Sequence, residues 1–293
     1  MAFVSRTALF FLMLPAVLLS GFSTAEKPVR ATWLWQTYQT ASQPNQILSF
    51  TAKQGVNLLY LKIDTTLRPA YYQSFVKQAR EMGIEVHALG GKASWGLERG
   101  REEIHSLISW VVRYNQSVGA EAAISGIHLD IEPHTLPEWK TDQASVIRQW
   151  MANVDAYTSY LQAQAPDLHL GADIPFWLDK YPLPDQPSIS VAERLIAAHD
   201  HVAVMAYRDK AEGPNSISAL VPQELEIAER LGKKIVVAVE TKASSEGDFV
   251  TFYEEGRTRM EDELAKLHQL LGDSPSFAGV AIHSYEYWSS LKE

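Results

Sequence analysis

The sequence contains no cysteine among its 293 residues. This absence excludes disulfide bridges, thiolate metal ligands, cysteine nucleophiles and a lipidated cysteine. Basic residues are also fewer than acidic ones, with 26 Lys and Arg against 35 Asp and Glu and a net charge of −9. Because a surface that follows phosphate groups is normally basic, we expect no nucleic-acid partner. The remaining composition, 46% hydrophobic and 21% charged, is typical of a globular protein.

Long apolar runs are confined to the amino terminus. Ala8–Leu19 is apolar, Arg6 precedes it, and small residues stand at Ser23 and Ala25. This arrangement is typical of a secretory signal, and the run is shorter than the roughly 20 residues that a membrane-spanning helix needs. We therefore expect residues 1–25 to be a signal peptide that is cut after Ala25. The mature protein is then secreted or periplasmic, without stable membrane insertion; an uncleaved anchor is the alternative.

The rest of the chain alternates between short apolar runs and amphipathic stretches. Helical patterns separate the runs, and several of them begin at a proline or end before a glycine, as helices commonly do. Among them we expect helices over Pro222–Leu231, before Gly232, and Arg257–Leu271, before Gly272. The proline-rich stretch Tyr181–Pro187, after the fifth strand, is expected to be a loop. Eight strand–helix units predict one α/β domain, a (β/α)8 TIM barrel over residues 26–293 with a truncated last helix. An open doubly wound sheet is the less favoured alternative. We expect a monomer. The predicted strands are Thr32–Trp35, Asn57–Ile63, Glu85–Leu89, Gly126–Ile131, His169–Asp173, His201–Ala206, Lys234–Val239 and Ala278–His283.

Polar residues recur at the inward positions near the carboxyl ends of these strands. On the fourth strand apolar residues alternate with His128, Asp130 and Glu132, which we expect to point into the barrel. Active sites of such barrels lie at the carboxyl ends of the strands. Charged residues are rarely buried unless they are paired, so a ring of them from several strands favours a functional pocket over an ion-pair network. The other candidates are Trp35, Lys62, Asp64, Asp173, Tyr207, Arg208, Glu240, Lys242, His283, Tyr285, Glu286 and Trp288.

The carboxylates on the fourth strand indicate acid–base chemistry. Asp130 lies two residues before Glu132, roughly 6–7 Å along the strand. A nearby carboxylate raises the proton affinity of Glu132, as the general acid of glycoside hydrolysis requires. Tryptophans in the predicted loops suit a sugar, whose C–H faces stack on aromatic rings. These loop tryptophans are Trp95, Trp139, Trp177 and Trp288.

Two motifs carry a resemblance to a known family. The run Gly126–Glu132, which reads GIHLDIE, resembles the fourth strand of the chitinase-like barrels of glycoside hydrolase family eighteen, where D-x-E closes a longer D-x-x-D-x-D-x-E. Met205–Tyr207 resembles the M-x-Y of that family's sixth strand, and Trp288 is similar to its stacking tryptophan. The two upstream aspartates of the family fall at Ser125 and His128 in this chain.

The resemblance implies a role for each matched residue. Glu132 is then the general acid, and Asp130 orients an acetamido group of the substrate that acts as the nucleophile. Tyr207 donates a hydrogen bond near that group. Arg208 stands where the family usually has Asp or Asn.

A second scheme for the same barrel uses a different second carboxylate. Many retaining glycosidases place the acid at the end of strand four and a nucleophilic glutamate at the end of strand seven. Glu132 and Glu240 stand at those places, although Ile131 replaces the asparagine that usually precedes the acid. Both schemes therefore assign the acid role to Glu132 and differ over Asp130 and Glu240.

Two other functions remain as alternatives at this point. A glycan-binding barrel without catalysis is compatible with the missing upstream aspartates. A metal-dependent polysaccharide deacetylase would use His128, Asp130 and Glu132 as ligands, although consecutive inward positions on one strand rarely converge on one ion. We expect a polysaccharide or oligosaccharide partner, with no cofactor and no metal.

Overall fold

The computed structural model describes residues 27–293, so the predicted signal segment, residues 1–25, lies outside the described residues. Eight parallel strands, numbered β1 to β8, close into a barrel in which each strand pairs with the next. Val29 of β1 lies opposite Gly279 of β8, and this pairing closes the sheet. The predicted single (β/α)8 barrel is confirmed, and the open doubly wound sheet is excluded. The strands are Val29–Leu34, Leu58–Lys62, Glu85–Gly90, Gly126–Asp130, His169–Pro175, His201–Met205, Lys234–Glu240 and Phe277–His283.

Helices on the outside of the barrel connect the strands. The principal ones are Pro44–Lys53, Ala70–Glu81, Arg101–Ser117, Gln143–Gln164, Val191–Ala198, Pro222–Leu231 and Arg257–Leu271. Short helices cover Gln39–Ser42, Pro137–Thr141, Ile217–Leu220 and Tyr285–Trp288. The last of these is the only helix after β8 in the described chain and has four residues. Within residues 27–293 no helix combines the length and apolarity needed to cross a bilayer.

Glycine ends some of these helices by adopting a left-handed backbone. Gly232 closes the helix Pro222–Leu231 with φ of 65°, and its N–H bonds back into the last turn. Such a φ is readily adopted only without a Cβ, so the sequence pattern locates this end correctly. Gly272 follows the helix Arg257–Leu271 in a right-handed conformation instead, with φ of −61°, so it is not a left-handed stop.

One connection differs from the sequence prediction. The proline-rich stretch Tyr181–Pro187 was expected to be a loop, but Pro182–Leu183 and Gln186–Ser190 pair as a small antiparallel hairpin. Leu183 is buried, and Ser190 caps the following helix by accepting the N–H of Glu193. Tertiary burial of Leu183 thus gives regular structure to a segment whose composition indicates a turn.

Two apolar layers pack against the barrel strands, one outside the barrel and one inside it. The larger one lies between the strands and the helices and includes most of the buried Ile, Leu and Val residues. The inner one fills the barrel asymmetrically, with large rings such as Trp33 and Tyr60 on β1 and β2 and small residues such as Ala203, Ala238 and Ala281 on β6 to β8. Large inward side chains therefore pack with small ones inside the barrel. The polar residues at the carboxyl ends of the strands lie around its mouth.

Candidate active site

Asp173 lies at the centre of the buried part of the site. It is on β5, is 3% exposed, and accepts a hydrogen bond from Trp33 Nε1 at 3.0 Å through Oδ2. Its other oxygen, Oδ1, lies 2.9 Å from Nε2 of His128 on β4. Burial raises the pKa of Asp173, while the bond from Trp33 opposes that rise. Burial lowers the pKa of His128 to about 3, so the ring is neutral and shares one proton with Asp173 through Nε2.

Asp130 and Glu132 lie beside this carboxylate. Asp130 is directly opposite Asp173 in the pairing of β4 with β5, and its buried Oδ1 has no hydrogen-bond partner among residues 27–293. Burial raises the pKa of Asp130, and the charges of Asp173 and Glu132 raise it further. Burial also raises the pKa of Glu132, again together with Asp173. Three carboxyl groups so close together cannot all ionise readily, and at least one of them holds a proton near neutral pH.

Glu240 occupies the opposite side of the mouth and is fully engaged. Its Oε1 accepts the backbone N–H groups of Thr241 and Lys242 at 2.8 Å, and its Oε2 lies 2.9 Å from Nδ1 of His283. The other ring nitrogen of His283, Nε2, is 3.0 Å from Nε1 of Trp35. An indole N–H can only donate, so Nε2 accepts and the His283 proton resides on Nδ1.

Two opposing influences act on the protonation of His283. Burial lowers its pKa, but the hydrogen bond and charge of Glu240, with Asp173 and Asp130, outweigh burial and raise the pKa overall. A second proton on Nε2 must displace the Trp35 indole from that nitrogen. The ring can therefore gain a proton only when Trp35 moves.

Tyr207 and Lys62 place polar groups between the two sides. Burial raises the pKa of Tyr207, and four carboxylates including Glu240 and Glu132 raise it further, so the hydroxyl stays protonated and can donate. Lys62 is half-buried, with its Nζ 5.7 Å from the centre of the Trp35 ring. Burial lowers the pKa of Lys62, and Asp130 opposes that change.

Aromatic rings line the mouth of the barrel. His134 Nε2 lies 3.4 Å from Glu132 Oε2, and its ring meets Trp177 edge-on at 4.9 Å between centres. The Arg208 guanidinium lies 5.4 Å from the ring of Phe176, the residue before Trp177, and 5.3 Å from the Phe249 ring. These groups offer flat apolar faces and positive charge around the carboxylates. Lys242 adds a further cation, 5.3 Å from the ring of Tyr287.

Two predicted site residues serve the loops instead of the pocket. Asp64 is exposed, and its Oδ1 accepts both the backbone N–H and the hydroxyl of Thr66. Glu286 uses Oε1 to accept the backbone N–H groups of Trp35 and Gln36 at 2.7 and 2.9 Å. Glu286 therefore holds the chain after β1, and with it the position of Trp35.

Two further predicted site residues lie away from the mouth, which corrects the sequence analysis. Trp288 is fully buried and packs against Phe50, with ring centres 5.2 Å apart. Tyr285 is 2% exposed and packs against the same ring at 5.6 Å. Strand alternation stops at His283, and the helix Tyr285–Trp288 turns both side chains into the outer apolar layer. Neither can stack on a substrate in this arrangement.

Two loop tryptophans expected at the rim are also buried. Trp95 is 5% exposed and Trp139 is 8% exposed, and both belong to the apolar layer under the helices. Trp177 is the loop tryptophan that stays partly exposed next to the carboxylates. The aromatic character of the mouth thus comes from Trp35, Trp177 and the two phenylalanines beside Arg208.

Sequence reasoning missed Trp33 and His134 as parts of the site. Trp33 was placed on the first strand but not assigned to the carboxylates, and its inward position two residues before Trp35 was the available signal. His134 follows the acid candidate in a loop, where no periodicity applies. The metal alternative on the fourth strand finds no support in the described residues, since His128, Asp130 and Glu132 do not converge on one point.

Comparison with known proteins supports the fold at long range. No protein-family model and no curated protein sequence matches the chain. Among solved structures, the carboxyl-terminal domain of a putative chitinase from Desulfitobacterium hafniense matches with a TM-score of 0.55 at 14% identity over 89% of this chain and 94% of that one. A family eighteen chitinase from Cycas revoluta in complex with (GlcNAc)3 has a TM-score of 0.55 at 14% identity, covering 88% and 95%.

A spore enzyme belongs to the same group of similar structures. The spore cortex-lytic enzyme SleL from Bacillus megaterium has a TM-score of 0.52 at 12% identity, over 90% of this chain and 73% of that one. These likenesses confirm the remote chitinase-like resemblance at the level of the barrel fold. At such low identity they carry the fold alone.

Proposed function

We propose that this protein is a glycoside hydrolase that acts on a polysaccharide or an amino-sugar glycan, with Glu132 as the general acid. The observation that carries the proposal is the position of Glu132 at the barrel mouth beside Asp130 and Asp173. Burial and the charge of Asp173 raise the pKa of Glu132, which favours a group that holds a proton near neutral pH and delivers it to a leaving oxygen.

Asp130 is the second functional group in the scheme we favour. Its buried Oδ1 lacks a partner within the described chain and is free to accept the N–H of an acetamido substituent. The carbonyl oxygen of that substituent then attacks the anomeric carbon as the glycosidic bond breaks and Glu132 protonates the leaving oxygen. Tyr207, whose raised pKa keeps its hydroxyl protonated, donates a hydrogen bond to the same substituent.

Glu240 fits the nucleophile role less well. One of its oxygens accepts two backbone N–H groups and the other contacts His283, so neither oxygen is free to attack a sugar. A nucleophile would have to release one of them. We therefore place Glu240 in the support of His283 and Trp35.

The structural neighbours agree with this substrate class. The Cycas revoluta chitinase was solved with (GlcNAc)3 and, as a variant, with (GlcNAc)4. The Bacillus megaterium neighbour is a spore cortex-lytic enzyme. The aromatic mouth offers stacking faces for a glycan, and Arg208 and Lys242 suit one with acidic or polar substituents.

Turnover of fluorogenic N-acetylated amino-sugar oligosaccharides tests the proposal. Glu132→Gln removes the transferable proton and should lower kcat by about 10²- to 10⁴-fold, while Glu226→Gln, on an exposed helix face, is the matched control. If the parent binds these oligosaccharides without turnover, and Glu132→Gln leaves the binding unchanged, the protein is a glycan-binding barrel and the proposal of a hydrolase is contradicted.

Glu240→Ala separates the two carboxylate schemes. If Asp130 orients the substrate, the variant should retain a rate within about tenfold of the parent, because it loses only the support of His283. A loss as large as that of Glu132→Gln identifies Glu240 as the nucleophile. Retention of activity by Asp130→Asn leads to the same conclusion.

We also propose that the protein is exported as a monomer after cleavage behind Ala25. The support is the charged and apolar pattern of residues 1–25 together with small residues before the cut. Intact mass of the protein recovered outside the cytoplasm tests the cleavage, and light scattering tests the monomer. A mass that includes Met1–Ala25 contradicts the cleavage.

A further inference from the structure

A group of histidines lies inside the barrel below the carboxylates. His87 on β3, His128 on β4 and His201 on β6 each offer a ring nitrogen, and these three nitrogens lie within 4.8 Å of one another. His87 is 3% exposed and His128 is fully buried. The third and fourth strands pair directly, with His87 opposite Gly126, and the curvature of the barrel brings His201 on β6 next to them.

Two glycines make the room that these rings occupy. A Cβ on Gly171 would lie 2.6 Å from both His128 Nδ1 and His201 Nε2, closer than real contacts allow. A Cβ on Gly126 would lie 2.7 Å from two atoms of the His87 ring. Both glycines stand at inward positions on β4 and β5, so any larger residue there would fill the space between the histidines.

The histidines are chemically ready to donate lone pairs. Burial lowers the pKa of His128 and of His201 to about 3, and it lowers the pKa of His87 as well. All three rings are therefore neutral at physiological pH, which is the form that binds metal ions. Nδ1 of His87 and Nδ1 of His128 are buried, and within residues 27–293 neither has a hydrogen-bond partner.

Packing alone does not account for this arrangement. The His128 ring stacks on Tyr60 at 3.7 Å, as a buried aromatic residue would. A buried nitrogen without a partner, however, destabilises the fold by about 1–3 kcal/mol, and apolar rings would stack without that penalty. The unpaired nitrogens thus point to an absent partner with an affinity for lone pairs.

We propose that His87, His128 and His201 form a three-histidine site for a divalent transition-metal cation, with Zn²⁺ as the ion whose ligand preferences it fits. The rings must close slightly on the ion, because Zn–N bonds are about 2.0–2.1 Å long. The hydroxyl of Tyr60, 3.2 Å from His201 Nε2, is a candidate oxygen for a fourth position. This site departs from the sequence expectation that the protein holds no metal.

The surroundings of the group match those of known metal-binding histidines. Nε2 of His128 lies 2.9 Å from Asp173 Oδ1, and a proton held on Nε2 by such a carboxylate leaves Nδ1 free for an ion. At the amino-terminal end of the barrel His201 is partly exposed, and His169, stacked 6.2 Å from His87, is exposed. The histidine group therefore lies toward the end of the barrel opposite to the proposed active site.

Metal binding by the tag-free mature protein tests the proposal. After dialysis against a chelator, titration with Zn²⁺ near neutral pH should show one equivalent bound, and native mass spectrometry should show the same stoichiometry. Co²⁺ should give the absorption of a low-coordinate nitrogen site. A parent protein that binds no stoichiometric Zn²⁺ or Co²⁺ overturns the proposal, whatever its activity on glycans.

Substitutions assign the ligands. His87→Gln and His201→Gln should each weaken Zn²⁺ binding by at least tenfold, and each is checked for folding by circular dichroism. His199→Gln is the matched control, since His199 is fully buried but bonds to Tyr157 and to a helix carbonyl, and it should keep one equivalent. Undiminished binding by folded His87→Gln and His201→Gln, or equal loss by the control, overturns the assignment.

Discussion

Asp130→Asn should stabilise the folded protein near neutral pH. Burial raises the pKa of Asp130, with help from Asp173 and Glu132, so the folded state holds this proton more tightly than the unfolded chain does. Stability therefore falls as pH rises from the unfolded pKa of about 3.9. The neutral amide removes this loss without changing the size of the side chain.

The expected gain follows from the spacing of the charges. Paired residues on adjacent strands are about 4.8 Å apart at Cα, and two unit charges at that distance repel by about 3.5 kcal/mol at an effective dielectric of about 20. Glu132 is about 6.6 Å along the strand, which corresponds to about 2.5 kcal/mol on the same scale. Partial protonation and the positive charge of Lys62 reduce both figures. We expect a net gain of roughly 1–3 kcal/mol, comparable to other substitutions that relieve strained active sites.

Urea unfolding of the parent and of Asp130→Asn at a series of pH values measures this gain. The two proteins should be similar near pH 4 and diverge as pH rises, with a flatter dependence for the variant. Asp64→Asn is a matched control of opposite sign, because hydrogen bonds from Thr66 lower the pKa of Asp64 and its ionised form stabilises the fold. If the parent and Asp130→Asn have equal free energies of unfolding at neutral pH, and the same dependence of that free energy on pH, the repulsion between Asp130 and its neighbouring carboxylates is refuted.

Two further predictions concern side-chain hydrogen bonds, one at the barrel mouth and one under the helices. Trp35→Phe removes the donor to Nε2 of His283, so protonation of that ring should become more favourable by about 0.5–1.5 kcal/mol. An NMR titration should show a raised His283 pKa in this variant and no change in the control Trp177→Phe. An unchanged His283 pKa in Trp35→Phe would contradict the assigned tautomer. Asn153→Ala removes a fully buried amide that donates to two backbone carbonyl oxygens at 2.8 and 2.7 Å and accepts from Arg101. It should destabilise the fold by roughly 2–4 kcal/mol in urea unfolding, and a loss below 1 kcal/mol would show that water replaces these bonds.

The sequence alone predicts the barrel because strands and helices are signalled by local patterns. The boundaries of Pro222–Leu231 and Arg257–Leu271 agree with the structure, since proline, glycine and amphipathic spacing act within a few residues of the helix ends. Alternation along Gly126–Asp130 likewise indicates that Asp130 points inward, because side chains of a strand reverse direction at every residue.

Contacts between strands depend on register, which local patterns do not contain. The bond from Trp33 to Asp173 joins residues 140 positions apart, and the contact of Glu240 with His283 depends on the pairing of β7 with β8. Trp288 shows how a position inferred from local spacing alone differs from the position in the structure. Counting forward from β8 suggested a rim position, but the chain turns at Ser284 and buries the ring.

The amino-acid sequence by itself thus determined the order of elements and the inward carboxylates Asp130 and Glu132, because both arise from periodicities of two and of about 3.6 residues. Only the tertiary structure decided which side chains meet. The register of β4 with β5 places Asp173 opposite Asp130, and the curvature of the barrel gathers His87, His128 and His201 from three strands. The physical reason is that these groups act through distances of a few ångströms, which are set by strand register and not by position along the chain.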